Sequence, residues 1–169
     1  MYIRASNSAR RRTVGEEIKA PIACNQVEYH VMLDQTALRQ YLAARAIPLV
    51  AYCPLAQGRV ASDPTLMKIG RKHGASAAQL ALKWLLDQDG VAAIPKAPRA
   101  ESEQANLDAQ HIGLEDEDSK AIAALPQDRR LVNSGHAPAG DGFRPRATHR
   151  PHGAPMSHTR GNTSVRQPP

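Results

Sequence analysis

The sequence predicts an α/β fold built on a parallel sheet, and three observations predict it. Short apolar runs at residues 22–28, 47–52 and 91–94 each change abruptly, at their C-terminal end, to polar residues or a proline turn. Helical sequence separates them, as crossovers between parallel strands require. The run ends carry amide, aromatic and cationic side chains: Gln26 with Glu28-Tyr29-His30, then Tyr52-Cys53-Pro54-Leu55, then Pro95-Lys96. In a (β/α) barrel, ligand groups sit at such carboxyl ends of the strands.

Residues 2–7 read as a short strand, followed by the basic run Arg10-Arg11-Arg12 and a helix to residue 19. Pro21 introduces the strand over 22–28, whose nearly continuous apolar start suits burial in a parallel sheet. Asp34 reads as the N-cap of a helix through Ala46, with Leu38 and Leu42 one turn apart on its inner face. Pro54 closes the strand over 47–52, and a loop with Gly58 follows. Asp63-Pro64 is an N-cap followed by proline at the first helical position. That helix carries Leu66, Ile69 and Gly70 and ends at Gly74, which suits a left-handed cap. Ser76 caps a helix over 77–88 whose buried face is Leu80, Ala81, Trp84 and Leu85, widened by Leu82 and Leu86. Gly90 ends it, the strand over 91–94 follows, and a last helix is read over 116–125 with Ile122 and Leu125 three apart.

With 169 residues, the chain suits one moderate core. A full (β/α)8 barrel takes about 250 residues, so the expectation is a partial barrel of about four parallel strands over residues 1–133. The formal charge of +6 is uneven: residues 134–169 hold five Arg and one Asp, a net of +4, leaving +2 for residues 1–133. The basic balance therefore describes the tail. That tail is rich in Pro, Gly and His, buries too little apolar surface to offset its chain entropy, and is read as disordered. No apolar run suits a membrane span or a signal peptide, so a cytoplasmic location is expected. Cys24 and Cys53 are read as reduced thiols, and no metal site is assigned, since His149, His152 and His158 fit no closed ligand spacing.

Together, the run Asn25-Gln26-Val27-Glu28-Tyr29-His30, the turn Tyr52-Cys53-Pro54-Leu55 and the turn Ile94-Pro95-Lys96 resemble the second half of an aldo-keto reductase. The resemblance covers roughly residues 20–141, and less closely 2–7. It implies the C-terminal half of a TIM barrel that binds NADPH, with NADH as the alternative, and reduces a small carbonyl to an alcohol. Bacterial diketogluconate reductases are the members it looks most like. By the same resemblance, Ser6, Asn7 and Gln26 would hold the nicotinamide carboxamide. A primary amide has donors and acceptors on both atoms, so this trio suits it. Tyr52 would stack on the nicotinamide ring, Cys53 stands where Ser is usual, and Leu55 and Gly58 fall in the loop near the pyrophosphate. Lys96 resembles the lysine that pairs with the 2′-phosphate, and Asn106, ten residues on, the asparagine that contacts adenine. Two positions depart from the pattern: Ala97 stands where a hydroxyl residue is common and Ser102 where many members have Arg. Arg99 is available as a second cation.

The family's catalytic Asp, Tyr, Lys and His come from the first half of the barrel, and their motifs are not in this sequence. No catalytic residue is assigned: His30 is read as structural or rim, and Tyr29 and Tyr41 have no partner lysine at a defensible spacing. Carbonyl reduction needs a proton donor within hydrogen-bond reach, so the expectation is a chain inactive alone. The alternatives are an inert nucleotide-binding fragment, and a polyanion-binding arm formed by Arg144, Arg146, Arg150, Arg160 and Arg166. Nucleic acid is disfavoured, because Phe143 is the tail's one aromatic. Open strand edges point to self-association or a partner. The start is read as a truncated frame, and residues 142–169 as read-through or frame-shifted sequence.

Overall fold

The three apolar runs form one parallel sheet in the order β1-β2-β3 in a computed structural model that describes residues 21–132. The expected strand over 2–7, with Ser6 and Asn7, and the tail from 134 lie outside the described residues. β1 spans Asn25–Glu28, β2 Leu49–Tyr52 and β3 Val91–Ala93. Each is shorter than the apolar run that announces it. Gln26 pairs with Val50 and Glu28 with Tyr52, while Leu49 and Ala51 pair with Val91 and Ala93.

Side chains alternate across a strand, and this register gives the sheet two different faces. Val27, Leu49 and Ala51 turn to the helices and are buried with Tyr29, Leu38, Leu42 and Leu85. Gln26 and Glu28, Val50 and Tyr52, and Ala92 share the other face, which becomes exposed at Ala92. That second face corresponds to a barrel interior.

The helices are α1 (Thr36–Ala43), α2 (Pro64–His73), α3 (Ala77–Leu86), α4 (Ala100–Asp108) and α5 (Asp116–Ala123). Cap chemistry sets α2 and α3. The Asp63 side chain accepts the Leu66 N–H ahead of Pro64, and Gly74 ends α2 at φ 62°. Ser76 and Gln79 form a reciprocal capping box on α3. Gly70 has no room for a side chain, because a Cβ there would collide with the backbone oxygen of Ala75. A second core cluster joins Leu66, Ile69, Leu80, Ala81 and Ile122, so α2, α3 and α5 pack as one layer. Trp84 touches both clusters and meets Tyr29 edge-on, with ring centroids 5.8 Å apart.

Several sequence expectations need correction. Asp34 is not the N-cap of α1; Gln35 holds that place without a side-chain bond, and Asp34 Oδ1 accepts the Thr36 N–H in a local turn. Leu86 is 40% exposed, because it is the last residue of the helix and Leu85, not Leu86, takes the place against the sheet. α4 was not expected: it buries no residue, so it lacks the apolar stripe by which a helix is recognised. No helix of the described residues is long and apolar enough to cross a membrane.

Candidate functional site

At the C-terminal ends of β1 and β2 the chain leaves the sheet through a strained turn. Cys53, Ala56 and Gln57 take φ values of 56°, 48° and 54°, and Gly58 follows at 86°. Three non-glycine residues in the left-handed region within five positions are uncommon. Such strain clusters where a loop is shaped for a ligand. Tyr52 leads directly into this turn, and Gln26, which pairs with Val50, shares its face of the sheet one alternation further back; both are half-buried. Gln26 presents a carboxamide and Tyr52 an aromatic ring, a donor–acceptor pair beside a flat apolar platform.

Of the other expected site residues, Cys53 is half-buried. Burial pushes its thiol pKa up most, with the Glu28 charge adding to this, against a hydrogen bond from the Gln57 backbone. It is therefore a neutral thiol, not a nucleophile. Leu55 packs inward on the α2–α3 cluster, so its backbone, not its side chain, faces the turn. Lys96 is exposed, three residues past β3. Asn106 is half-buried on α4, whose first turn follows Arg99. The structure thus puts Gln26 and Tyr52 on one face of the sheet, offset by two residues across the strand pair, and places Lys96 and Asn106 on the next strand–helix unit.

A shallow pocket of about 280 Å³ lies between Arg39, Leu42, Ile47, Leu49, Asp89 and Val91. These residues mark the N-terminal ends of β2 and β3, the end opposite Gln26 and Tyr52. In a barrel that end serves stability, and we assign it no chemistry.

His73, Glu115 and Asp118 bring their ligand-type atoms within 4.8 Å of one another. A cation is already there: Lys72 Nζ lies 2.7 Å from Glu115 and 3.2 Å from Asp118, while His73 Nε2 sits 2.6 Å from Asp118. The group is an ion-pair latch between α2 and α5. The His73 hydrogen bond holds the Asp118 carboxyl below its ordinary range, against burial and with help from Lys72. A depressed carboxylate contributes stability above its unfolded pKa and loses it as pH falls through the folded one. The urea midpoint is therefore expected to drop below about pH 4. In Asp118→Asn it should be lower at pH 7 and flatter in acid; an unchanged acid slope would sink this assignment.

Sequence reasoning missed the left-handed turn and the burial of Glu28 and His30, both 0% exposed. Glu28 sits on the same face as Gln26, and its carboxylate accepts backbone N–H groups from Leu131 and Val132. His30, expected as structural or rim, is fully buried beside Glu28.

Comparison with known proteins points to one family. The family model described as "Aldo/keto reductase family" matches residues 5–126. Methylglyoxal reductase DkgB of Escherichia coli O157:H7 is 36% identical over 121 residues, covering 71% of this chain and 45% of that protein. Glyoxal reductase of Bacillus subtilis (strain 168) is 40% identical over 115 residues, covering 68% and 41%. Among solved structures, a Gox0644 variant in complex with NADPH superposes with a TM-score of 0.66 at 31% identity, over 73% of this chain and 45% of that one. The chain spans less than half the length of the curated relatives it matches.

Proposed function

The chain belongs to the aldo/keto reductase family, and from that premise we propose that it forms the NADPH-binding half of a small-carbonyl reductase. The observation that carries the reading is that Gln26 and Tyr52 share one face of adjacent parallel strands, with Tyr52 at the strand end that leads into a left-handed turn. The residues suit the cofactor's chemistry. The Gln26 carboxamide would bond the nicotinamide amide and fix its rotation. The Tyr52 ring would stack on the nicotinamide and decide which face it presents. Ser6 and Asn7 would join Gln26, the backbone around Cys53 and Leu55 would line the pyrophosphate, and Lys96 with Asn106 would meet the adenosine end. NADPH, when bound, supplies a hydride to the carbonyl carbon.

Of the described tyrosines, Tyr52 is given to the nicotinamide ring, and the other two do not face it. The Tyr29 hydroxyl is turned behind the sheet, donating to Gln88 Oε1 at 2.5 Å, and burial raises its pKa. Tyr41 lies on α1 under the Arg45 guanidinium. We therefore read the chain on its own as binding the cofactor without turning over a carbonyl. Dicarbonyls of the glyoxal type, on which the named relatives act, are the substrate class for the assembled site.

Calorimetric titration tests this. NADPH is expected to bind saturably, with no NADPH oxidation on adding methylglyoxal. Base–aromatic stacking is worth about 1–3 kcal/mol, so Tyr52→Ala should weaken NADPH by about tenfold to hundredfold. Equal affinity in a folded Tyr52→Ala protein would overturn the reading.

A further inference from the structure

Glu28 ends β1 with its carboxylate fully buried, a costly placement that the cofactor reading does not use. Its Oε1 accepts the Leu131 N–H at 2.6 Å and its Oε2 the Val132 N–H at 3.0 Å. Oε1 also lies 3.1 Å from His30 Nε2. The His30 Nδ1 accepts the Met32 N–H at 3.2 Å, which leaves the ring proton on Nε2, pointing at Glu28.

The chain leaving α5 runs back along residues 28–34 as a strap. The Asp34 N–H donates to the Gln127 oxygen and the Arg129 N–H to the Met32 oxygen, at 2.8 and 2.9 Å, and Leu33 bridges Asp128 antiparallel. Up to that point the strap is held by backbone. At its last two described residues, where Leu131 also packs on the α2–α3 cluster, the backbone N–H groups go to the Glu28 side chain instead, and Glu28 is paired in register with Tyr52.

We propose that Glu28 is a positioning residue: its carboxylate, aimed by His30, pins Leu131 and Val132 at the mouth and so holds the returning chain beside Tyr52. The pinning stands on the hydrogen bonds alone; its effect on ligand rests on the NADPH reading. The groups facing Glu28 are His30 on its own segment, the Cys53 thiol at the end of β2, and the strap, where Arg129 and Arg130 precede the two N–H groups. Burial is the largest influence on Glu28 and opposes its charge. The His30 bond and then the two backbone N–H groups outweigh it, leaving the pKa below the ordinary value. The pin is therefore set at neutral pH and released as pH falls through that lowered pKa.

The test is NMR on the full chain. In the wild type, the Leu131 and Val132 amide proton shifts should titrate in step with the Glu28 carboxyl carbon. In Glu28→Gln, which has one acceptor oxygen, at least one of the two amides should lose about tenfold or more of its exchange protection at pH 7, with α3 amides unchanged. Weaker NADPH binding should accompany it. Amide shifts that ignore the Glu28 titration would overturn the proposal, and this arm decides even if Glu28→Gln does not fold. A wild type that binds no NADPH but shows the coupled titration keeps the pin and removes the cofactor reading.

Discussion

Leu85→Ala is expected to lower the unfolding free energy by about 2–5 kcal/mol, the range for truncating a buried leucine. Leu85 is fully buried and seats α3 on the helix-facing side of the sheet, against the cluster of Val27, Leu38, Leu42, Leu49 and Ala51. Those contacts come from β1, α1 and β2, so the cavity left behind cannot close by moving one helix. A domain is stable by about 5–15 kcal/mol in all, which makes the loss a large fraction of the total. The neighbouring Leu86→Ala is the control: that residue is 40% exposed, and surface changes of this kind stay within about 0.5 kcal/mol. Urea unfolding followed by circular dichroism reads both. Equal effects would mean that α3 is not seated on the sheet through Leu85.

The same contacts explain which parts of the fold are legible in the sequence. The strands are punctuated by Pro21, Pro54 and Pro95, and α2 and α3 by Asp63-Pro64, Gly74 and the Ser76–Gln79 box, all local chemistry. Some helix ends are less legible: α1, α3 and α5 stop at Ala43, Leu86 and Ala123, short of the expected Ala46, Gln88 and Leu125. α4 is hidden because its sequence, Ala100–Asp108, buries nothing and so has no periodic apolar face. Its acidic first turn, Glu101 and Glu103, was the available signal. The Glu28 pin is hidden for another reason. It joins residues more than 100 positions apart, and its acceptors are matched by backbone N–H groups, which every residue but proline has.

The candidate site divides in the same way. Gln26 and Tyr52 are legible as residue types in the strand runs, and the register puts them on one face. The turn that follows Tyr52 is not legible, because Cys53, Ala56 and Gln57 carry no residue preference for the left-handed region they adopt. Leu55 keeps its place in the loop but turns its side chain inward. The mouth is thus built from three independent supports: the sheet register, the strained turn, and the strap held by Glu28.

Lys96→Ala should separate NADPH from NADH. The two cofactors differ by the 2′-phosphate, so a residue that contacts only that group alters one affinity and not the other. A hydrogen bond to a charged group is worth about 1.5–3 kcal/mol. Lys96 is exposed, and solvent screening moves the expectation to the lower end, about tenfold weaker NADPH binding with NADH unchanged. Raising the salt should shrink the wild-type preference toward that of the variant. Arg99, at the start of α4, would supply the second cation, so Arg99→Ala should cost NADPH less than Lys96→Ala does, and the double variant should bind the two cofactors alike. A fall in both affinities would place Lys96 on the pyrophosphate they share. No fall in either would detach β3 and α4 from the adenosine end, leaving Gln26 and Tyr52 as a nicotinamide platform without the anchor that tells the cofactors apart.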